Sequence, residues 1–536
     1  MTSAGFDLVT RPWIRARTLD GSVADHALAD VLGTAPDLAG LAGEVPTQDA
    51  AMQRLLLAVL RRSYPEVRSP REWARLWDAG RFDIDRVRDY LNGHRDRFDL
   101  LHPTTPFYQV AELRTAKGEL TELARLIPDI PAGHQYFTTR AGDELRSMSF
   151  AEAARWIVHC QAYDASGIKS GAVGDERVKN GKGYPIGIAW CGWLGLVVAE
   201  GRSLFETLML NLQAMRTLPP AEVDLPVWER PPQGPGVEVG HELPAGPADL
   251  LTWQSRRIRL GHDGQRATGV LIANGDPLHA RGLVETEPMT SWRFSEAQTK
   301  ATQSPTPVYM PRTHRPDRAV WRGLSALLAR DDSAARTRAG GWLEWLAELR
   351  SAGHLAADHP LRLHTIGMEY GVQSAVIADI ADDALNLRLA VLTDEDLTGI
   401  AVAGVDDADA AVRALGQLAA DLVRASGGGR ELAGVSRDDA REQGYAALDP
   451  DFRRWIAGLR ADTSRNDART AWQVRVRQVV STLGHELLDR AAPTAWAGRT
   501  DDSGRPINGA TAASWFHIDV KKALPLAHPS LEGAVS

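Results

Sequence analysis

The chain has 536 residues, of which 44% are hydrophobic and 24% charged, an ordinary composition for a globular protein with one or more sizeable cores. Lysine and arginine number 61 against 69 aspartates and glutamates, so the net charge is −8. That balance excludes a uniformly basic nucleic-acid-binding protein and restricts any polyanion site to a local patch.

The two cysteines, Cys160 and Cys191, are too few for a four-cysteine zinc site, and we expect two free thiols. No uncharged apolar run reaches about 18 residues, so no transmembrane helix is expected. The N-terminus lacks the order of charges and apolar residues found in signal peptides. Together these features predict a cytoplasmic protein.

The first 390 residues mix predicted strands and helices. Strands are predicted over 6–17 and 250–260, and helices over 49–63, 149–160, 203–212 and 321–350. Ser149 and Glu152 form a capping-box pattern at the start of the second helix. A glycine- and lysine-rich loop spans 164–187, and a proline- and glycine-rich connection spans 230–248. Because strands and helices do not alternate regularly, the pattern does not indicate a Rossmann fold.

After about residue 390 the predicted elements are all helices. They cover 407–425, which ends at three consecutive glycines, then 450–459, 464–490 and 510–524. Helices joined by short loops favour an antiparallel bundle. The expected fold class is therefore α+β, with a large mixed α/β domain over 1–390 and a C-terminal helical bundle over 391–536.

Known catalytic motifs match this chain only in part. The segment GDERVKNGKG at 174–183 lacks the spacing and the terminal hydroxyl of a Walker A motif. His485 and Glu486 are followed by Asp489 where a zinc protease has its second histidine. Neither segment therefore predicts a nucleotide cofactor or a bound metal. A nucleotide-dependent enzyme built on the Gly/Lys loop stays open as an alternative, since active sites assemble through space.

Two loops carry side chains suited to nucleic acid. In the segment 133–146, aromatic residues precede threonines, and aromatic rings stack on unpaired bases while hydroxyl groups bind phosphates. The same aromatic residues could instead be core anchors. In the segment 166–187, glycines permit close approach of the backbone to a groove, and lysines supply positive charge. A flexible solvated loop is equally compatible with this composition.

A third segment, 367–375, reads as a small hairpin tip bounded by glycines. It would present Val372, Gln373 and Ser374 to solvent. The spacing of these residues does not by itself indicate a function.

These segments occur in the same order in a known family. The chain resembles the CasA family, the large subunits of the type I-E CRISPR surveillance complex (Cascade), over nearly its whole length. The likeness rests on RPWIRAR at 11–17, FDLLHPTTPFYQV at 98–110, HQYFTT before SFAEAARWIV, GIKSG at 167–171, LTWQSRRIRL at 251–260 and GVQSA at 371–375. Their order and spacing are more specific than any one of them.

The resemblance implies a fold and a function. The fold is a mixed α/β domain followed by a four-helix bundle. The family is not enzymatic: it binds near the 5′ handle of the guide RNA, recognises the motif (PAM) that flanks a double-stranded DNA target, helps to open the duplex and recruits the helicase-nuclease. Other Cascade subunits, including the small-subunit dimer, are implied partners. A protein-only scaffold is the alternative.

The resemblance also implies site residues. The guide-RNA handle contact falls on Phe137, Thr138 and Thr139. The DNA-binding set is Gly167, Ile168, Lys169, Ser170, Gly171, Arg293, Val372, Gln373 and Ser374. Within it Gln373 is the wedge that separates the duplex, and Arg293 is the nearest counterpart of the family's lysine finger, with Lys300 second. The paired cysteines of some members are absent, so no zinc is expected.

Overall fold

The computed structural model describes residues 5–128, 146–214, 219–328, 337–500 and 504–528. The chain forms two compact units. Unit 1 comprises Met1–Arg318, Ala329–Leu355 and Leu361–Ala384, and unit 2 comprises Ala319–Leu328, Ala356–Pro360 and Leu385–Ser536. Unit 2 thus draws two short segments from earlier in the chain. The domain boundary at residue 390 stays a prediction.

Within the described residues the α-helices are α1 (Leu28–Gly33), α2 (Pro46–Ser63), α3 (Pro70–Asp78), α4 (Ile84–Gly93), α5 (Phe150–Tyr163), α6 (Leu204–Asn211), α7 (Pro247–Leu251), α8 (Glu296–Thr302), α9 (Leu324–Leu328), α10 (Gly341–Ser351), α11 (Leu389–Thr393), α12 (Glu395–Ala425), α13 (Arg430–Gly458), α14 (Arg465–Asp489), α15 (Pro493–Ala497) and α16 (Gly509–Ala523). None of them is long and apolar enough to span a membrane.

The strands are β1 (Ile14–Thr18), β2 (Val23–His26), β3 (Leu38–Leu41), β4 (Lys169–Ser170), β5 (Lys182–Gly183), β6 (Leu196–Glu200), β7 (Arg256–His262), β8 (Ala267–Asn274), β9 (Trp292–Phe294), β10 (Tyr309–Pro311), β11 (Thr337–Arg338), β12 (Pro360–Tyr370), β13 (Ile377–Arg388), β14 (Arg499–Thr500) and β15 (Pro506–Ile507). They form small sheets with the orders β2-β1-β3, β10-β9-β11 and β13-β12-β6, and the pairs β4-β5, β7-β8 and β14-β15.

The core of unit 1 is built around α2, which packs against α5. Most residues of α2 are buried on every side of the helix. Arg54 on this helix is buried and forms an ion pair with the buried Glu287 at 2.9 Å. Thr47 Oγ1 lies 3.0 Å from His159 Nε2 on α5. These paired polar groups allow a helix with several polar residues to occupy the centre of the unit.

Unit 2 is a four-helix bundle in which α12 packs against α13, α14 and α16. Trp472 is buried on α14 and donates its ring N–H to the carbonyl oxygen of Gly404 on α12 at 2.8 Å. Arg469 pairs with the buried Asp407 at 2.9 Å. The short connection between α12 and α13 matches the expected antiparallel arrangement. The predicted α+β fold with a C-terminal four-helix bundle is confirmed.

Several predicted elements are confirmed with small shifts in their ends. The helix predicted over 149–160 is α5, and the Ser149 hydroxyl accepts a hydrogen bond from the Glu152 backbone N–H at 3.1 Å, as the capping box requires. The helices predicted over 49–63, 464–490 and 510–524 are α2, α14 and α16. The 164–187 loop contains only the two-residue strands β4 and β5.

Other predicted elements are wrong in part. The segment 321–350 is not one helix, because α9 ends at Leu328 and β11 precedes α10. The strand predicted over 250–260 begins only at Arg256, since the end of α7 occupies Leu250 and Leu251. The first strand begins at Ile14, after Pro12. Pro450 does not start a helix but lies within α13.

Candidate nucleic-acid interface

The glycine loop, which we define as residues 164–171, begins where α5 ends. Two of its residues, Lys169 and Ser170, form β4, which pairs with β5. Gly167 has a φ of +119°, a conformation that favours glycine. A Cβ on Gly171 would lie 2.5 Å from the carbonyl carbon of Gly181, so this position is closed to larger residues. The loop conformation therefore depends on both ends of the GIKSG motif.

Arg256 at the start of β7 anchors the glycine loop through hydrogen bonds and an ion pair. Its buried guanidinium donates to the carbonyl oxygens of Ala165 at 3.0 Å and Gly187 at 2.9 Å, and it pairs with the Asp164 carboxylate. One side chain thus connects the two ends of the 164–187 segment. Sequence reasoning placed Arg256 in a shared motif but assigned no role to it or to Asp164.

Lys169 is engaged inside the protein. Its Nζ lies 2.6 Å from Asp164 Oδ2, and its side chain is largely buried. Burial raises the pKa of Asp164, but the opposing charges and hydrogen bonds of Lys169 and Arg256 exceed that effect and lower the pKa below its usual value. The Lys169 charge is therefore neutralised by Asp164, and the loop presents its backbone more than its ammonium group.

The hairpin of β12 and β13 carries the GVQSA tip, as the sequence predicts. The backbone N–H of Gly371 donates to the carbonyl oxygen of Val376 at 2.9 Å and closes the turn. Gln373 and Ser374 have φ values of 57° and 53°, which non-glycine residues adopt at a cost of about 1–3 kcal/mol each. Val372 is 84% exposed. The tip therefore holds an apolar and an amide side chain in solvent on a strained turn.

The structure brings the tip and the glycine loop together. The backbone N–H of Ser166 donates to the carbonyl oxygen of Ser374 at 2.8 Å. A Cβ on Gly167 would touch that of Ala375 at 3.9 Å. Two segments about 200 positions apart in sequence thus form one continuous surface.

Tyr370 fixes the base of the tip to the start of the glycine loop. Its buried hydroxyl donates to the carbonyl oxygen of Tyr163 at 2.6 Å, at the C-terminal end of α5. Burial holds the pKa of Tyr370 well above its usual value, so the hydroxyl stays a hydrogen-bond donor. This contact, which sequence reasoning missed, gives the tip a rigid support in the core of unit 1.

A cavity of about 310 Å³ lies behind the glycine loop and the tip. Its walls include Ile168 from the glycine loop, Val376 directly after the tip, Cys160 and His159 from α5, and Pro128. Burial lowers the pKa of His159 to about 3 and raises that of the Cys160 thiol. Neither side chain carries charge near neutral pH, and these two walls are therefore neutral.

Arg293 lies on β9, the central strand of the β10-β9-β11 sheet, with an exposed side chain. An isolated bridge joins Thr290 to Leu196 of β6, and β6 in turn pairs with β12 in antiparallel register. Because both pairings are antiparallel, β9 runs in the same direction as β12. Strand β12 ends at the tip, so β9 runs toward that end of the sheet. The second candidate, Lys300 on α8, pairs with Glu296 at 2.8 Å.

The handle-contact residues Phe137, Thr138 and Thr139 lie outside the described residues. Their assignment stays a prediction.

The Walker-like segment 174–183 uses its arginine internally. Arg177 pairs with Asp175 at 2.9 Å and donates to the carbonyl oxygen of Gly275 at the same distance. These contacts fasten the segment to the end of β8. The Arg177 side chain thus stabilises the fold through contacts within the protein.

One group of side chains has the donor types of a metal site. Ligand atoms of Glu238, His241 and Asp276 lie within 4.8 Å of one another. Arginines already occupy their surroundings: Arg257 binds both carboxylate oxygens of Asp276 at 2.8 and 2.9 Å, and Arg230 Nη1 lies 2.7 Å from His241 Nδ1. A divalent cation would have to displace these guanidinium groups, so the arrangement fits an internal ion-pair network.

Comparison with known proteins gives a consistent result. Residues 7–483 match the family model for CRISPR-associated protein Cse1. A curated relative, CRISPR-associated protein CasA/Cse1 of Thermus thermophilus, is 29% identical over 385 residues, covering 71% of this chain and 68% of the relative. The crystal structure of Thermobifida fusca Cse1 is 43% identical over 98% of this chain and 99% of that one, with a TM-score of 0.91.

A second solved structure, Cse1 from Acidimicrobium ferrooxidans, is 30% identical over 99% of this chain and 100% of that one, with a TM-score of 0.84. A chain of a CRISPR RNA-guided surveillance complex shares the fold with a TM-score of 0.66, at 20% identity over 90% of this chain and 98% of that one. The resemblance deduced from the loop motifs is confirmed, and the chain belongs to the CRISPR-associated protein Cse1 family.

Proposed function

We propose that the chain is the large subunit of a type I-E CRISPR surveillance complex, where it recognises the motif flanking a double-stranded DNA target and helps to open the duplex. The observation that carries the proposal is the hydrogen bond between Ser166 and Ser374, which joins the glycine loop to the tip bearing Gln373. Motif binding by one segment would position the other at the adjacent base pair. The solved surveillance complex with this fold supports the assembly.

In this proposal the glycine loop reads the flanking motif from the minor groove. The backbone from Gly167 to Gly171 approaches the base edges, with the exposed Ile168 and the partly exposed Ser170 beside it. The ammonium group of Lys169 holds the loop through Asp164. The minor groove mainly distinguishes A·T from G·C pairs. We therefore expect several related motifs to be accepted.

Gln373 acts as the wedge, with Val372 and Ser374 beside it. Unstacking a base step costs a few kcal/mol. A tip supported by Tyr370 and by the Ser166 hydrogen bond keeps its shape when it enters the stack. Motif contacts and guide–target pairing offset the cost, so motif recognition precedes strand exchange.

The remaining partners are assigned from the resemblance. Phe137, Thr138 and Thr139 would bind the guide-RNA handle by stacking and hydrogen bonding. The small-subunit dimer and the helicase-nuclease would dock on other surfaces. Arg293 would contact the flanking duplex, since its exposed side chain lies on a strand directed toward the tip. No step in this account requires catalysis by the chain.

Replacing Gln373 tests the wedge. We expect Gln373→Ala to weaken binding of the guide-loaded complex to an intact duplex by about tenfold or more. Unstacking the first base step costs a few kcal/mol, and the alanine side chain no longer offsets that cost. Binding to a target with mismatches at the first pairs should change little, since that step is already open. Equilibrium titrations of both DNAs measure the two constants.

Gln303→Ala is the matched control. Gln303 is also an exposed glutamine with a positive φ, 50°, but it follows α8 and lies away from the GVQSA tip in sequence. It should leave both affinities unchanged. Equal losses on the intact and the pre-opened target for Gln373→Ala would refute the wedge and favour a role in assembly alone.

A further inference from the structure

Arg293 has an unexpected neighbour on the adjacent strand. Strands β9 and β10 are antiparallel, with Arg293 opposite Met310. One step beyond β10, the backbone N–H of Arg312 donates to the carbonyl oxygen of Ser291 at 2.8 Å and extends the same ladder. Because side chains alternate between the faces of a sheet, Arg293 and Arg312 lie on one face as a diagonal pair. Diagonal neighbours are about 7–8 Å apart at their Cα atoms, within reach for arginines.

This pair has no neutralising partner in the described part of the chain. Neither guanidinium forms an ion pair with a described carboxylate, in contrast to Arg315 and Arg338 of the same unit, which pair with acids. The N–H at Arg312 Nε is buried and donates no hydrogen bond to any described residue. Burial lowers the pKa of Arg312, and the charges of Arg293 and Arg318 lower it further. Two guanidinium groups on one face without a carboxylate between them repel each other and destabilise the folded protein when no anion is bound.

An anion between these side chains would remove that repulsion. Guanidinium groups bind phosphate oxygens in paired hydrogen bonds, and a half-buried arginine with an unused N–H is pre-organised for them. The face lies on the strand that runs toward the tip end of the sheet. A nucleic-acid backbone that reached the tip could pass along it.

We propose that Arg312 and Arg293 form a clamp for a backbone phosphate of the duplex that flanks the target. This inference rests on the proposed function, because it assumes that duplex DNA reaches the tip. It goes beyond that function in assigning Arg312 a contact with the phosphate backbone. The clamp adds affinity without adding preference for any base sequence.

The salt dependence of binding tests the clamp. Wild-type and Arg312→Gln chains are each placed in the guide-loaded complex and titrated with target duplexes, with and without a permissive motif, at several salt concentrations. Loss of one phosphate contact should reduce the slope of log K against log[salt] by about 0.9. Affinity should fall by the same factor on both duplexes, leaving the ratio between them unchanged. Arg312→Lys should restore most of the slope.

The control and the contrary results are distinct. Arg315→Gln removes an exposed arginine that already pairs with Asp317, and it should leave the slope unchanged. An unchanged slope for Arg312→Gln, in a variant with the wild-type melting temperature, would overturn the clamp. So would a loss confined to the permissive motif, which would indicate base contact. If instead the wild-type chain gave no motif preference while Arg312→Gln still reduced the slope, the clamp would stand and motif recognition would fail.

Discussion

Gly171 and Gly181 face each other where the glycine loop folds back on its partner strand. The space that a Cβ on Gly171 would need is filled by backbone atoms of Gly181 and the side chain of Val178, and backbone cannot move aside cheaply. The requirement for glycine at this position is thus steric. It belongs to the closing of the hairpin as much as to any contact with DNA.

Gly171→Ala should therefore push β4 and β5 apart. Overpacking of this kind costs about 1–3 kcal/mol, so the melting temperature should fall and motif-dependent binding should weaken with it. Gly234→Ala is the control, because a Cβ there meets open space. Thermal unfolding and DNA titration of both variants check the expectation. A Gly171→Ala chain with wild-type stability and binding would show that the hairpin is not tightly closed.

At this scale the sequence indicated which loops to examine but not what supports them. GIKSG and GVQSA are local motifs, and the structure brings the two segments together through the hydrogen bond between Ser166 and Ser374. Arg256, Asp164 and Tyr370 act through contacts across about 90 and 200 positions of sequence, and such pairs carry no local signal. The pairing of Lys169 with Asp164 was missed for a related reason, since spacing alone does not distinguish a lysine facing solvent from one folded beneath its loop.

The four-helix bundle shows how neighbouring positions of one element differ. On α12, Gly399 is exposed and has open space around its Cβ position. Gly404, five residues later, lies against Trp455, whose ring would be 2.5 Å from an added Cβ. The same helix thus contains one glycine that costs stability and one that the packing requires.

Gly399→Ala should raise the unfolding free energy by about 0.5–1 kcal/mol, because alanine loses less backbone entropy in a helix. Gly404→Ala should lower it by about 1–3 kcal/mol through overpacking against Trp455. Thermal unfolding followed by circular dichroism measures both changes. Shifts of the same sign would contradict this description of the α12 face.

Helices were predictable where their apolar spacing was regular, as in α14 and α5. The errors arose where tertiary contacts prevail over local signals. Pro450 normally marks a helix boundary, yet the buried Leu448, Phe452 and Ile456 on either side keep α13 continuous. In the opposite sense, the segment 321–350 has helical composition, but its residues Thr337 and Arg338 pair with β9.

Across the whole molecule, burial shifts the pKa values of several titratable groups and so makes stability depend on pH. In unit 1, burial lowers the pKa of two histidines: that of the fully buried His159 to about 3 and that of the partly exposed His314 to about 4. Both values lie below the usual 6.5, so on acidification the unfolded chain binds protons that the folded unit excludes. These groups contribute stability above pH 6.5 that is lost as the pH falls toward 4.

Two other groups oppose this trend. Burial raises the pKa of Asp49 to about 6. Burial lowers the pKa of His364, but its hydrogen bonds to Glu200 and Asp382, with their charges, raise it above its usual value. Both contribute stability that is present at acid pH and lost as the pH rises. The contribution of one of these groups to the pH dependence of stability is therefore measured by comparing the wild-type chain with a variant that lacks the group.

His159→Gln should make unit 1 less sensitive to acid. Between pH 7 and pH 5 the melting temperature should decrease more for the wild-type chain than for the variant. The reason is that the variant lacks a histidine that is protonated only on unfolding. His279→Gln, at an exposed site, serves as the control and should follow the wild type. Equal losses in wild type and His159→Gln would show that His159 takes up a proton in the folded protein.

The central claim is that this chain confers motif-dependent binding of duplex DNA on a guide-loaded surveillance complex. The most direct measurement is a DNA titration of that complex with and without the chain, at one salt concentration, using targets that differ only in the flanking motif. We predict that adding the chain tightens binding to the target with a permissive motif and has much less effect on the other. An equal effect on both targets, or none on either, would contradict the claim.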